Sequence, residues 1–243
     1  MERLLISPPF GSYISTSFTT SVLGSFTVEP RPGLFCKSLQ FFLDNYHHPV
    51  KDGYRNRIGL RNPGVYNIPY INDLYIYSVV GLKQYDWDTI LLTLEGCLKE
   101  NSIIVELNLG CPNVHEYGIR REIIKEYCRY FKVIAKLPPT EKFFPIADMC
   151  AEEGIDYFHC SNTVPSELGG ISGYPLKHIN LPLVTELAKR CPHIPIIAGG
   201  GIYEWQDILD YRRAGAIYFS TSTVWLNPFK AYKLVRRFHK EGI

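Results

Sequence analysis

The sequence predicts an α/β protein, a closed (β/α)8 TIM barrel formed as one domain over residues 1–243. Short apolar runs alternate strictly with amphipathic stretches from about residue 74 onward. With two earlier apolar runs the count reaches eight units, the number that closes a barrel in a chain of about this length. The C-terminal tips of successive runs also turn polar, which is where barrels carry their chemistry. A doubly wound open sheet shares the alternation and is the competing architecture.

Taken in order, the first two strands are expected around Ile6–Tyr13 and Leu34–Ser38. Leu74–Val80 (LYIYSVV) is the third, followed by a helix near Asp86–Glu100 in which Ile90, Leu91, Leu94 and Leu98 recur at helical spacing. Ile103–Leu109 precedes a helix near Arg120–Tyr130, and Phe131–Leu137 (FKVIAKL) a helix near Glu141–Glu153 that Gly154 stops. Asp156–Cys160 leads through a long loop to a helix at Leu181–Lys189. Ile194–Ala198 opens AGGGI and a helix near Glu204–Ala214, which Gly215 ends. Ala216–Phe219 precedes the last helix, Pro228–Lys240. Residues 14–33 and 44–73 are irregular in pattern and are expected to drape over the barrel mouth as binding loops.

Composition narrows the function. A net charge of +2 argues against a polyanionic partner, so no nucleic acid is expected. No apolar run is long enough to span a bilayer and the N-terminus has no signal-peptide pattern, so no membrane partner and a cytoplasmic location are expected. Seven cysteines form an odd set with no C-x-x-C pair, which indicates neither a disulfide framework nor a metal site. Most should be small buried hydrophobes. Cys111 is the exception.

Residues 105–113 read VELNLGCPN, an apolar strand whose tip carries Asn108, Gly110, Cys111, Pro112 and Asn113. Lys136 ends an otherwise apolar strand in VIAKLPP, where an unpaired buried ammonium would be costly. Lys37 occupies the matching place on the expected second strand. HCSNT brings Asn162 and Thr163 to the sixth tip, and GGISG (169–173) follows as a flexible loop able to approach a cofactor closely. AGGGI at the seventh tip and STST (Ser220–Thr223) at the eighth supply glycine amides and hydroxyls, the makings of a phosphate cradle.

In this order the segments resemble the dihydroorotate dehydrogenase family of FMN-containing barrels, across most of the chain. ELNLGCPN is similar to the family's catalytic segment, with Gly110 where a serine is usual. AKLPP resembles its flavin-contacting lysine segment, SNT its substrate-amide segment, and CKS its second-strand lysine segment. GGISG, AGGGI and Ser222-Thr223 resemble its flavin and phosphate loops, and NRIGLRN (Asn56–Asn62) its substrate loop. The loop after CPN, VHEYGIRRE, departs from the pattern.

The resemblance implies oxidation of dihydroorotate, or a related dihydropyrimidine, to orotate. Cys111 would be the base that removes a proton from the carbon beside a carbonyl, and FMN would accept the hydride. FMN would be held by Lys37, Ser38, Asn108, Lys136, Ser161, Gly173, Gly200, Gly201, Ser222 and Thr223. The substrate would be held by Lys37, Asn56, Gly59, Leu60, Asn108, Asn113, Asn162 and Thr163, amides suiting its paired donors and acceptors. A homodimer and a separate electron-transfer partner are compatible with the resemblance, and fumarate or NAD as acceptor stay open. Two other readings compete: a tRNA-dihydrouridine synthase-like flavin reductase, whose catalytic strand is also similar to N-x-G-C-P, and a phosphate-ligand-binding barrel without catalysis.

Overall fold

The computed structural model describes residues 1–31, 48–50, 53–56, 59–68, 71–96, 103–110, 119–160, 162–166 and 169–242. Its described strands are β1 (Leu4–Ile6), β2 (Thr20–Phe26), β3 (His48–Val50), β4 (Gly53–Asn56), β5 (Tyr75–Val79) and β6 (Ile104–Asn108), then β7 (Lys132–Lys136), β8 (Tyr157–Cys160), β9 (Val164–Ser166), β10 (Gly169–Gly173), β11 (Ile196–Gly199) and β12 (Tyr218–Thr221). The described helices are α1 (Gln84–Glu95), α2 (Arg121–Tyr130), α3 (Phe143–Glu152), α4 (Pro175–Arg190), α5 (Trp205–Arg213) and α6 (Pro228–Glu241).

Eight strands close into a barrel in the order β1-β12-β11-β8-β7-β6-β5-β2. Every pairing around it is parallel. The expected (β/α)8 barrel is therefore the architecture, and the third to eighth strands lie where the apolar runs put them.

The first two strands are corrected. β1 is only Leu4–Ile6, because Pro8 and Pro9 cannot extend the ladder and Phe10–Ser12 turns as a 3-10 helix. The second strand is Thr20–Phe26, inside the stretch expected to be a loop. Its hydroxyls disguise it: Thr20, Ser21 and Ser25 are buried, and Val22 is completely so. The expected strand Leu34–Ser38 lies outside the described residues. GGISG is likewise not a loop but β10, the middle of an antiparallel sheet ordered β3-β4-β10-β9. The helix expected at Leu181 starts six residues earlier, at Pro175, whose fixed φ suits the first helical turn.

Alternation along the strands sorts side chains into two cores. One fills the barrel's lower interior: Leu5, Val22, Ile76, Ile134 and Ile197, with Ile104, Tyr157 and Tyr218 against them. The other lies between barrel and helices, where Leu4, Tyr77, Val105, Leu107, Val133, Phe158 and Phe219 meet Ile90 and Leu94 of α1, Ile124 of α2, Ile208 of α5 and Leu234 of α6. Each such side chain contributes about 1.5–3 kcal/mol by leaving water. The aliphatic inward positions are the lower ones and most of the polar inward positions are the upper ones, and that division locates the site.

Candidate active site

The inward residues at the C-terminal half of the barrel are Ser7, Ser78, Glu106, Asn108, Lys136, His159 and Ser220, all buried. Strand register sets them in two adjoining rows that form one polar zone: Ser78 pairs with Glu106, and one step higher Asn108 pairs with Lys136 and Lys136 with His159. They lie directly above the aliphatic filling.

A directed hydrogen-bond chain crosses this layer. Asn162 Nδ2 donates to Asn108 Oδ1 at 2.9 Å, and Asn108 Nδ2 donates to Ser25 Oγ at 2.9 Å. Ser25 and Ser78 hydroxyls are 2.8 Å apart, and Ser78 in turn bonds the Glu106 carboxylate. A carboxylate only accepts, so Ser78 donates to Glu106 and Ser25 to Ser78. That polarity fixes which face of each asparagine amide is spent and which is left for a ligand. Asn162 Oδ1 also accepts from the Thr163 amide at 3.0 Å, holding the loop after β8.

Glu106 is completely buried, with Lys136 Nζ 3.5 Å from Oε1 and His159 Nδ1 2.6 Å from Oε2. Burial pushes the Glu106 carboxyl up, but the Lys136 ammonium, His159 and Ser78 outweigh it and hold it well below the usual range. Burial lowers the His159 imidazole against the pull of Glu106. We therefore assign His159 as neutral, its Nδ1–H donating to Glu106, and its Nε2 is buried without a hydrogen-bond partner. Among the described residues the Glu106 carboxylate is the ion-pair partner of Lys136, and Asn108 and His159 flank it in register. Glu106 Oε1 accepts no hydrogen bond, so this contact is an ion pair that leaves the Lys136 N–H donors for a group above the layer.

The glycine loop after β11 has a packing basis beside the expected one. Gly200 and Gly201 have φ of 84° and 75°. A Cβ on Gly200 would lie 2.6 Å from Asn180 Nδ2 and 2.8 Å from Leu176 Cβ, and one on Gly201 would lie 2.9 Å from Lys177 Cβ. The glycines are needed because the loop is pressed onto α4. Asn180 Nδ2 and Tyr211 Oη each donate to the Gly199 carbonyl at 2.9 Å, and Tyr211 Oη also donates to Gly200 at 2.7 Å. In the neighbouring loop, Thr221 bonds the Leu5 carbonyl, Ser222 the Pro8 carbonyl, and Thr223 accepts from Tyr203 Oη at 2.7 Å. Hydroxyls and carbonyls are thus engaged within the protein, so a phosphate here would be held chiefly by backbone amides.

The segment expected to form the substrate loop is anchored to the end of β2. Asn62, buried, accepts from the amides of Thr27 and Gly64 and donates to Thr27 Oγ1 and the Leu60 carbonyl, pinning the loop to the end of β2. Gly59 and Leu60 turn there with φ of 64° and 58°. Asn56 closes β4, paired with Gly170 in β10. Gly173, with φ 97°, ends β10 against Gly53. A Cβ on Gly110 would lie 2.6 Å from Pro138 N and Cα, so the backbone here passes too close to Pro138 for a side chain without a shift.

The structure thus brings Asn108, Lys136, Asn162 and Thr163 together, with Gly200, Gly201, Ser222 and Thr223 on the adjoining strand ends. Lys37, Ser38, Cys111, Asn113 and Ser161 lie outside the described residues. The second-strand position given to Lys37 belongs instead to Thr20–Phe26. Among the described thiols, burial pushes Cys128 and Cys150 up to about 12 and raises Cys160 and Cys191 too, so none of the four is poised as a thiolate.

Sequence reasoning missed Glu106, His159, Ser25, Ser78 and Asn62. The signal for the first two was parity: in VELN and YFHC the outward residues are apolar, so Glu106 and His159 must face the barrel interior.

The FMN implied by the sequence resemblance is compatible with these residues: a buried ammonium with spare donors, paired amides above an apolar plug, and two strand-end loops suited to a phosphate. Among the described residues no group of three or more His, Cys, Asp or Glu could hold a metal ion. No described helix is long and apolar enough to cross a membrane.

Comparison with known proteins agrees. The family model described as dihydroorotate dehydrogenase matches residues 11–241. A relative from Petrotoga mobilis, named dihydroorotate dehydrogenase B (NAD(+)), catalytic subunit, is 27% identical over 231 residues, covering 81% of this chain and 77% of its own. One of the same name from Caldicellulosiruptor bescii is 29% identical over 231 residues, covering 80% and 73%. Dihydroorotate dehydrogenase A (fumarate) from Lactobacillus delbrueckii subsp. bulgaricus is 27% identical over 202 residues, covering 69% and 65%. The chain belongs to the dihydroorotate dehydrogenase family, whose members are FMN-dependent oxidoreductases acting on CH–CH groups.

Proposed function

We propose that this protein oxidises dihydroorotate, or a closely related dihydropyrimidine, to orotate or its counterpart. The observation that carries the reading is the polar layer in which Asn108, Lys136 and Asn162 meet at the tips of three successive barrel strands. FMN, when bound, supplies the hydride acceptor. Lys136 faces that cofactor with its free donors, and the loops at Gly200–Gly201 and Ser222–Thr223 take its phosphate. Asn108 and Asn162, their amide faces fixed by the directed chain, orient the substrate ring together with Asn56 and Asn113. Cys111, three residues beyond Asn108 in sequence, removes the proton from the carbon beside the substrate carbonyl. The four described thiols are unsuited to that task, and of the remaining Cys36, Cys97 and Cys111 only Cys111 follows the strand that carries Asn108.

Relatives named as the catalytic subunit of an NAD(+) enzyme favour a separate electron-transfer partner over direct use of fumarate. The test is anaerobic addition of dihydroorotate to the FMN-loaded chain and to Cys111→Ala. The parent should lose its visible flavin colour, and the variant should keep FMN but bleach far more slowly. Equal bleaching rates would remove Cys111 as the base.

A further inference from the structure

Among the described residues Glu106 is the one acid in the barrel's polar layer, and the proposed chemistry leaves it without a task. It is completely buried, lies two residues before Asn108 on β6, and accepts from His159 and Ser78 while facing Lys136 at 3.5 Å. Packing does not explain it, since replacing a buried ion pair with apolar side chains is often neutral or stabilising. The lower barrel interior is filled that way already.

The three groups balance in charge. Glu106 is anionic and Lys136 cationic. A proton added to His159 Nε2 would be an unpartnered N–H in the interior, because that atom is buried and accepts or donates to nothing. The sum is zero. The Lys136–Glu106 separation is also wider than a close charge-assisted bond, so the ammonium is neutralised without its donors being used up.

Resting on the FMN reading above, we propose that Glu106 is a positioning residue that serves as the buried counter-ion of Lys136 and trims the positive charge which Lys136 presents to the bound cofactor. Reduction adds negative charge to a flavin, so an uncompensated lysine favours the reduced form and an uncompensated glutamate disfavours it. Glu106 therefore keeps the cofactor from holding its electrons too tightly to pass them on.

The test is the midpoint potential of bound FMN, read by equilibration with a reference dye in the FMN-loaded full chain. Glu106→Gln should favour reduced FMN by about tenfold or more, a rise of about 30 mV for a two-electron couple. Lys136→Met should shift it the opposite way. The double variant Glu106→Gln/Lys136→Met should return close to the parent. A potential unmoved by Glu106→Gln, or a double variant equal to Lys136→Met alone, overturns the proposal. The second comparison decides the matter if Glu106→Gln does not fold. A merely structural Glu106 would lower stability and leave the potential where it was. A parent chain that takes up no FMN overturns the cofactor reading and this proposal together, whereas FMN uptake with an unmoved potential overturns this proposal alone.

Discussion

Lys177 ties α4 to α5 beside the Gly200–Gly201 loop, and its removal tests whether buried charge organises that end of the barrel. Its Nζ lies 2.6 Å from Asp207 Oδ1 and 2.7 Å from Asp210 Oδ2. Burial opposes the ammonium, but hydrogen bonds to both aspartates outweigh this and raise its pKa. Asp207 is 1% exposed, and its Oδ2 also accepts from the Tyr203 and Glu204 amides at the start of α5. Lys177→Met keeps the aliphatic stem and strands that carboxylate without a cation. Breaking a buried pair typically costs about 3–5 kcal/mol. The two backbone donors remain, so the lower end applies, about 3 kcal/mol. In a chain of this size that lowers Tm by roughly 6–12 °C. Asp210 is 25% exposed and also bonded to Gln206, so Asp210→Asn should cost at most about 1 kcal/mol. Urea unfolding of both variants at equal m-value is the assay. A loss below about 1 kcal/mol for Lys177→Met, or equal losses for both variants, would refute the reasoning.

Three further outcomes are expected. Gly110→Ser forces a Cβ to within 2.6 Å of the Pro138 backbone and should cost about 1–3 kcal/mol in urea unfolding; parental stability would contradict the close approach. His159 and Glu106 both have lowered pKa values in the folded protein, so the unfolded chain binds the extra protons on acidification. Stability should therefore fall as pH drops below the ordinary histidine value and fall further through the carboxylate range, by at most about 1.4 kcal/mol per pH unit per group. His159→Phe should flatten the first part of that decline, and an unchanged slope would show that His159 does not carry it. Cys150 and Cys160 should resist alkylation at neutral pH until the chain unfolds, and rapid labelling of either in the folded protein would contradict their burial.

The sequence made six of the eight barrel strands legible because they are short runs that alternate with amphipathic helices along the chain. β2 was not, because Thr20, Ser21 and Ser25 turn hydroxyls toward partners such as the Ile14 carbonyl and Ser78 that only the fold supplies. The same limit hid the site's floor. Asn108 and Lys136 stand out as polar ends of apolar strands, whereas Glu106 reads as a solvent residue until strand parity turns it inward. The glycines of AGGGI were placed correctly for a less complete reason. Their necessity comes from helix α4, and the helix start at Pro175 was itself misplaced in the sequence reading.

The central claim is that this barrel takes electrons from a dihydropyrimidine. The most direct measurement is the visible spectrum of the FMN-loaded protein before and after anaerobic addition of dihydroorotate. The account predicts loss of the flavin colour together with orotate formed in equal amount. An FMN-loaded chain whose spectrum stays unchanged with dihydroorotate and related dihydropyrimidines would contradict it.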